Sequence, residues 1–107
     1  MSLFDKREQG FEQKFAHDET LRFKAHARRA KLVGLWAAAQ MGLSPEESER
    51  YAKDLVQHDV LEAGDDDIVR KVRADFEAKG VKGSDHQIRR TLDEMMAQAV
   101  KEIEDGR

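Results

Sequence analysis

The sequence predicts an all-α protein, a four-helix bundle with a mobile N-terminal arm. Hydrophobic residues make up 39% and charged residues 38% of the 107 residues, a balance typical of helix-rich proteins with charged surfaces. The single proline is Pro45, and good helix formers fill the intervals between the glycines. β-branched and aromatic residues never alternate for more than a few positions, so strands have little support.

Residues 1–18 form a sparse segment that we assign to the arm. Phe4, Phe11 and Phe15 are spaced by seven and then four residues, so in a helix they would share one narrow stripe. Gly10 costs about 1 kcal/mol of helix stability relative to alanine, which makes an isolated helix marginal. Two interpretations follow: a frayed terminus that packs its phenylalanines on the bundle, or an arm that orders on a partner.

The bundle is predicted to occupy residues 19–107, and its first helix is expected from about Glu19 to Met41. Gly42 would supply the left-handed position that ends many helices. Trp36 is expected to pack in the core rather than to contact a ligand. Small residues on the core stripe would let a neighbouring helix approach closely. The expected stripe is Phe23, Ala27, Ala30, Gly34, Ala37 and Met41.

The second helix has the clearest local start signal. Ser44 and Glu47 have capping-box spacing, and Pro45 stands at the first helical position. This helix is expected to end before Gly64.

The third and fourth helices are predicted from similar signals. Three acids, Asp65 to Asp67, favour a helix start through the helix dipole and N-cap hydrogen bonding, and Gly80 is the expected stop. Ser84 and Gln87 repeat the capping-box spacing before the last helix. Short connections favour antiparallel neighbours. The expected apolar face of the last helix is Ile88, Leu92, Met95, Met96, Ala99 and Ile103.

Several classes of function are disfavoured by what the sequence lacks. It has no cysteine, no apolar run of roughly 20 residues and no signal-peptide core, so a cytoplasmic protein without disulfides or membrane insertion is expected. It has no phosphate loop, dinucleotide-binding turn or nucleophile elbow, so we expect neither enzyme activity nor a cofactor. The acids at 65–67 lack the alternation of a calcium loop, and no two histidines have metal-ligand spacing on one helix face, so no metal site is expected.

The net charge of −3 is unevenly distributed. Residues 19–41 hold five Lys and Arg against one acid, giving +4, whereas residues 42–107 hold eleven against seventeen, giving −6. A basic helix in an acidic chain can pair with its neighbours, steer towards an acidic partner or stay solvated. An adaptor or nucleic-acid-binding module that uses this basic face is therefore the alternative function, although nucleic acid is not the favoured partner.

Four strings, FDKRE, EQKFAHD, LRFKAHARRAKLVGLWAA and GDDDIVRK, resemble the zeta subunit of alphaproteobacterial F-type ATP synthases, and the likeness is densest from Phe4 to Ala38. The resemblance implies a non-enzymatic inhibitor of ATP hydrolysis. Its arm would insert as a helix into a catalytic interface of the head, formed by the alpha, beta and gamma subunits, and block rotation of the shaft. The protein would then lie peripheral to the inner membrane through the ATP synthase.

The family's inhibitory region corresponds to Leu3, Phe4, Asp5, Lys6, Arg7, Glu8, Phe11, Lys14, Phe15 and His17. We interpret the three phenylalanines as apolar anchors, and the lysines and arginine as partners for acids of the head. His17 lies at the junction of arm and bundle, where an imidazole titrating near neutrality could act as a pH switch or be a plain surface histidine. The candidate secondary contacts are Arg22, Lys24, Arg28 and Arg29.

Overall fold

A computed structural model describes residues 18–61 and 64–106 as four α-helices joined by short connections. The helices are α1 (Glu19–Gln40), α2 (Pro45–Leu61), α3 (Asp65–Ala78) and α4 (Asp85–Glu104). The prediction of an all-α four-helix architecture is confirmed, and each helix begins and ends close to its expected position. The predicted arm lies outside the described residues except for Asp18.

Helix α1 is central, because it makes the largest interfaces with both α2 and α4. Arg28 in the first half of α1 contacts Glu102 near the end of α4, whereas the later Ala37 shares a core cluster with the earlier Leu92, so these two helices run antiparallel. The contacts of α3 with α4 follow the same rule, since Asp66 meets Arg89 whereas the later Arg73 meets the earlier Asp85. These directions agree with the prediction from the short connections.

Local signals in the sequence set the helix ends. The backbone N–H of Ser44 donates to Glu47 Oε1, and the Glu47 N–H donates back to Ser44 Oγ, both at 3.2 Å. This bond from the Ser44 backbone lowers the pKa of Glu47. Ser84 Oγ accepts from the Gln87 N–H at 3.1 Å, and Gly80 adopts a φ of 68° after α3, as predicted.

All four helices contribute to one main core cluster. Phe76 is its largest fully buried side chain, and the Trp36 ring packs on it with centroids 5.7 Å apart, which confirms the core assignment of Trp36. A smaller cluster joins α1 to α4 through Ala25 and Val100. The buried members of the main cluster are Val33, Ala37, Leu55, Ile68, Val69, Val72, Phe76, Ile88 and Leu92.

The predicted core stripe of α1 is partly wrong. Phe23 is 59% exposed, and Ala27 and Met41 are only half-buried, whereas Ala30, Gly34 and Ala37 are buried as expected. Because α1 packs against two helices at once, its buried surface is wider than one stripe and rotated away from Phe23. The buried residues of α1 are Ala25, Arg29, Ala30, Val33, Gly34, Ala37 and Ala38.

Gly34 sets the close approach of α1 to α2. A β-carbon built on it would lie 2.6 Å from Ala52 Cα and 3.1 Å from Ala52 Cβ, so only glycine fits without displacing backbone. The predicted role of small residues in this interface is confirmed at this position. None of the described helices is both long and apolar enough to cross a bilayer.

Candidate partner-binding surface

The predicted arm residues from Leu3 to His17 lie outside the described residues, so their roles stay predictions. Asp18, the last residue of the predicted arm, caps α1. Its backbone is extended, with φ −124° and ψ 106°, and its side chain accepts a hydrogen bond from the Leu21 N–H at 3.1 Å. The described bundle therefore starts at Asp18.

The four candidate secondary contacts differ in how accessible they are. Arg22 and Lys24 are exposed. Arg28 is half-buried, and its Nη1 lies 3.5 Å from Glu102 Oε1. Arg29 is only 4% exposed and points into the bundle. As partner contacts all four stay predictions, and accessibility favours Arg22 and Lys24 over Arg29.

Arg29 ties α1 to α3 through a two-point ion pair. Its Nη2 and Nη1 lie 2.7 and 3.3 Å from the two carboxylate oxygens of Asp65, and Nη2 also lies 3.3 Å from Nδ1 of His26. The hydrogen bond from Arg29 lowers the pKa of Asp65, an effect that partial burial of the carboxyl opposes. The buried arginine thus has a positional role inside the fold.

The acids at the start of α3 act differently from the prediction. Gly64 occupies the N-cap position and no side-chain capping hydrogen bond forms, so the expectation of N-cap bonding is wrong. Asp65 and Asp66 instead reach arginines of α1 and α4, and Asp67 pairs with Arg70 within α3. Their place in the first turn still agrees with the helix dipole.

One open groove runs along α1, and we call it the basic groove. Its volume is about 820 Å³, and its far side is formed by Val56 of α2 and by Glu102, Ile103 and Gly106 at the end of α4. Its α1 side consists of Phe23, Lys24, Ala27, Arg28, Lys31, Leu32 and Leu35. A second hollow of about 410 Å³ shares Lys31 and Val56 with it and adds Glu49, Arg50, Ala52 and Lys53. Apolar side chains are thus bordered by several cations.

On this face Arg28 pairs with Glu102 at 3.5 Å, whereas the lysines take no part in the ion pairs of the bundle. Every arginine of α3 and α4 has a carboxylate within 4 Å. Within residues 18–61 and 64–106, Lys24, Lys31 and Lys53 of this face form no ion pair, and neither do Lys79, Lys82 and Lys101 elsewhere. Lys24, Arg28 and Lys31 are four and three residues apart, so helical spacing alone places them on one stripe of α1. Lys53 was missed, because only the packing of α2 on α1 brings it there.

The described residues include no cluster of three or more His, Asp or Glu side chains that could hold a metal ion.

Tyr51 forms a further polar contact between helices, where its hydroxyl donates to Asp75 Oδ2 at 2.7 Å. Burial, reinforced by this bond, raises the pKa of Tyr51. The Tyr51 bond joins α2 to α3, and the same carboxylate oxygen also accepts from Lys71 of α3 at 3.1 Å.

These features define a small all-α bundle protein with an open groove that is lined by apolar side chains and two lysines that are unpaired in the described part of the chain. More specifically, the chain belongs to the ATPase inhibitor subunit zeta family, whose family model matches residues 1–102. The match includes the segment before α1 as well as most of α4. The family description denotes a regulatory subunit and implies association with ATP synthase, and it agrees with the resemblance noted in the sequence.

A solved structure supports the fold. The chain is similar to a protein studied by solution NMR, with 38% identity and a TM-score of 0.71. The similarity covers 81% of this chain and 99% of that one. A comparison with curated proteins gives no significant match.

Proposed function

We propose that this protein inhibits ATP hydrolysis by the F-type ATP synthase through its N-terminal arm. The arm inserts as a helix into a catalytic interface of the head, against the rotor shaft, and blocks rotation. The observation that carries this proposal is the family match over residues 1–102, because it spans the arm and the bundle together.

Within the arm, Phe4, Phe11 and Phe15 are proposed as the anchors. In a helix these three side chains share a face, and buried aromatic residues supply much of the binding energy at protein interfaces. Lys6, Arg7 and Lys14 would then meet acidic residues of the head.

The bundle is a folded domain that can contact the same partner as the arm. A segment that orders on binding loses about 2–5 kcal/mol of the gross interaction energy. A body that contacts the same partner offsets this cost, because it raises the effective concentration of the arm at its site. The buried residues of the main core cluster lie between Val33 and Leu92, so removing the arm leaves them in place.

Deletion of residues 2–17 tests the proposal. The deletion keeps Asp18, because its side chain caps α1. We expect the shortened protein to retain its helical circular dichroism signal and its cooperative unfolding but to lose inhibition in an ATPase assay with the purified head. Full inhibition by the folded, shortened protein would refute the proposed role of the arm.

Single substitutions in the arm locate the contact. Phe11→Ala and Phe15→Ala should each weaken inhibition by about tenfold, since truncating an anchor residue costs more than 1 kcal/mol. Gln13→Ala is the matched control, because position 13 falls on the opposite side of a helix from both. Equal effects at all three positions would contradict the anchor stripe.

The unpaired cations of the basic groove favour one second candidate, an adaptor or nucleic-acid-binding module. A pull-down from native extract separates the two functions. Recovery of nucleic acid or an unrelated complex, without ATP synthase subunits, would favour this alternative.

A further inference from the structure

The basic groove has the length of a short helix. It follows α1 from Phe23 to Leu35, twelve residues further on, which corresponds to about 18 Å at 1.5 Å per residue. An occupant of about three helical turns would fill it. Binding of an amphipathic helix in an apolar groove is a common mode of recognition between proteins.

The lining indicates the chemistry of such an occupant. Phe23 is the large hydrophobic residue most exposed to solvent in the described part of the chain, and Leu32 and Leu35 are half-buried further along the groove. Lys24 and Lys31 border these side chains and have no carboxylate partner among the described residues. The surface therefore matches a helix with an apolar stripe and flanking acids.

We propose that the basic groove docks an acidic amphipathic helix of the ATP synthase head, as a second contact beside that of the arm. This inference rests on the proposed function and names a partner surface for the bundle. Glu102 on the far side of the groove would repel acids of the occupant, so they face Lys24 and Lys31.

The position of the groove favours the head over other partners. Its first lining residue, Phe23, lies four residues after the start of α1, about 6 Å along the helix axis. When the arm is inserted, this end of the groove therefore lies near the surface around the entry point. Two contacts so close together lower the dissociation rate more than either alone.

Charge reversal in the full-length protein tests the docking. Lys24→Glu and Lys31→Glu change exposed residues of the groove, and Lys82→Glu is the matched control at an exposed position in the α3–α4 connection. We expect each groove variant to dissociate from immobilised head about five- to tenfold faster and the control to stay within about twofold of wild type. The difference should shrink as salt is raised.

Three results would overturn the inference, and they are distinguishable. If wild-type protein neither binds nor inhibits the head, the proposed function fails and the docking with it. If wild type binds and inhibits but groove and control variants dissociate at the same rate, the docking fails and the proposed function stands. If deleting residues 2–17 shifts the NMR signals of Phe23 and Leu35 without the head present, and adding the head leaves them unchanged, the groove holds the protein's own arm instead.

Discussion

Replacing Asp65 by asparagine tests how far the bundle depends on its buried arginine. Arg29 is 4% exposed, and Asp65 is the carboxylate that neutralises it. Asp66→Asn is the matched control, since Asp66 lies in the same helical turn and pairs with Arg89 at 2.6 Å, compared with 2.7 Å for Arg29 and Asp65. Both substitutions remove one acid from the first turn of α3, so the loss of favourable interaction with the helix dipole is about the same.

The expected costs differ because the two arginines differ in burial. Breaking a fully buried ion pair by removing one partner costs about 3–5 kcal/mol. Asp65 is 43% exposed, and an asparagine oxygen can still accept a hydrogen bond, so we expect about 2 kcal/mol for Asp65→Asn. The side chains of Arg89 and Asp66 are 49% and 75% exposed, which predicts less than about 1 kcal/mol for Asp66→Asn.

Urea unfolding followed by circular dichroism measures both values. The pH dependence gives a second readout. Because Arg29 lowers the pKa of Asp65 in the folded protein below its ordinary value of 3.8, the ionised carboxylate stabilises the fold above that pH. The contribution is lost as the pH falls through the lower, folded-state pKa, so wild type and Asp65→Asn should converge in acid.

Equal losses of stability in Asp65→Asn and Asp66→Asn at neutral pH would refute this reasoning. So would a difference that persists unchanged in acid, because it would then not come from the charge of Asp65.

Two further predictions concern helix packing and capping. Gly34→Ala should reduce the free energy of unfolding by about 1–2 kcal/mol. The new β-carbon would lie 2.6 Å from Ala52 Cα, so the helices must separate by 0.8 Å to reach an ordinary 3.4 Å contact. The better helix propensity of alanine offsets only part of this strain. Adding Ala52→Gly should rescue little, since the nearest atom is backbone; a stabilised Gly34→Ala protein would contradict the close approach. Ser44→Ala should cost about 1 kcal/mol in thermal or urea unfolding through loss of the α2 cap. Ser44→Asp should retain most of that stability, and equal losses in the two variants would argue against capping.

Local signals made the helices predictable. The capping pairs that begin at Ser44 and Ser84, and the glycine after α3, act within a few residues of chain, and each lies where the sequence indicated. The apolar positions of α3 were also predictable, because that helix buries one face, and Ile68, Val69, Val72 and Phe76 are all buried.

The packing of α1 was harder to predict, because it depends on contacts between distant parts of the chain. The burial of Arg29 depends on its ion pair with Asp65, which lies 36 residues later in the chain. Phe23 is apolar but 59% exposed, because the packing of α2 and α4 leaves it in the open groove. The groove was predictable as a basic stripe on α1, whereas its far side, with Val56 and Ile103, required the tertiary arrangement.

The extended backbone at Asp18 has a mechanical consequence. The regular hydrogen bonding of α1 begins at Asp18. A helix formed upstream would therefore not continue along the same axis while Asp18 keeps this conformation. The two segments would then meet at a fixed bend and would not form one stiff rod. If the arm inserts as a helix, as proposed, the bundle would therefore lie at an angle to the inserted helix.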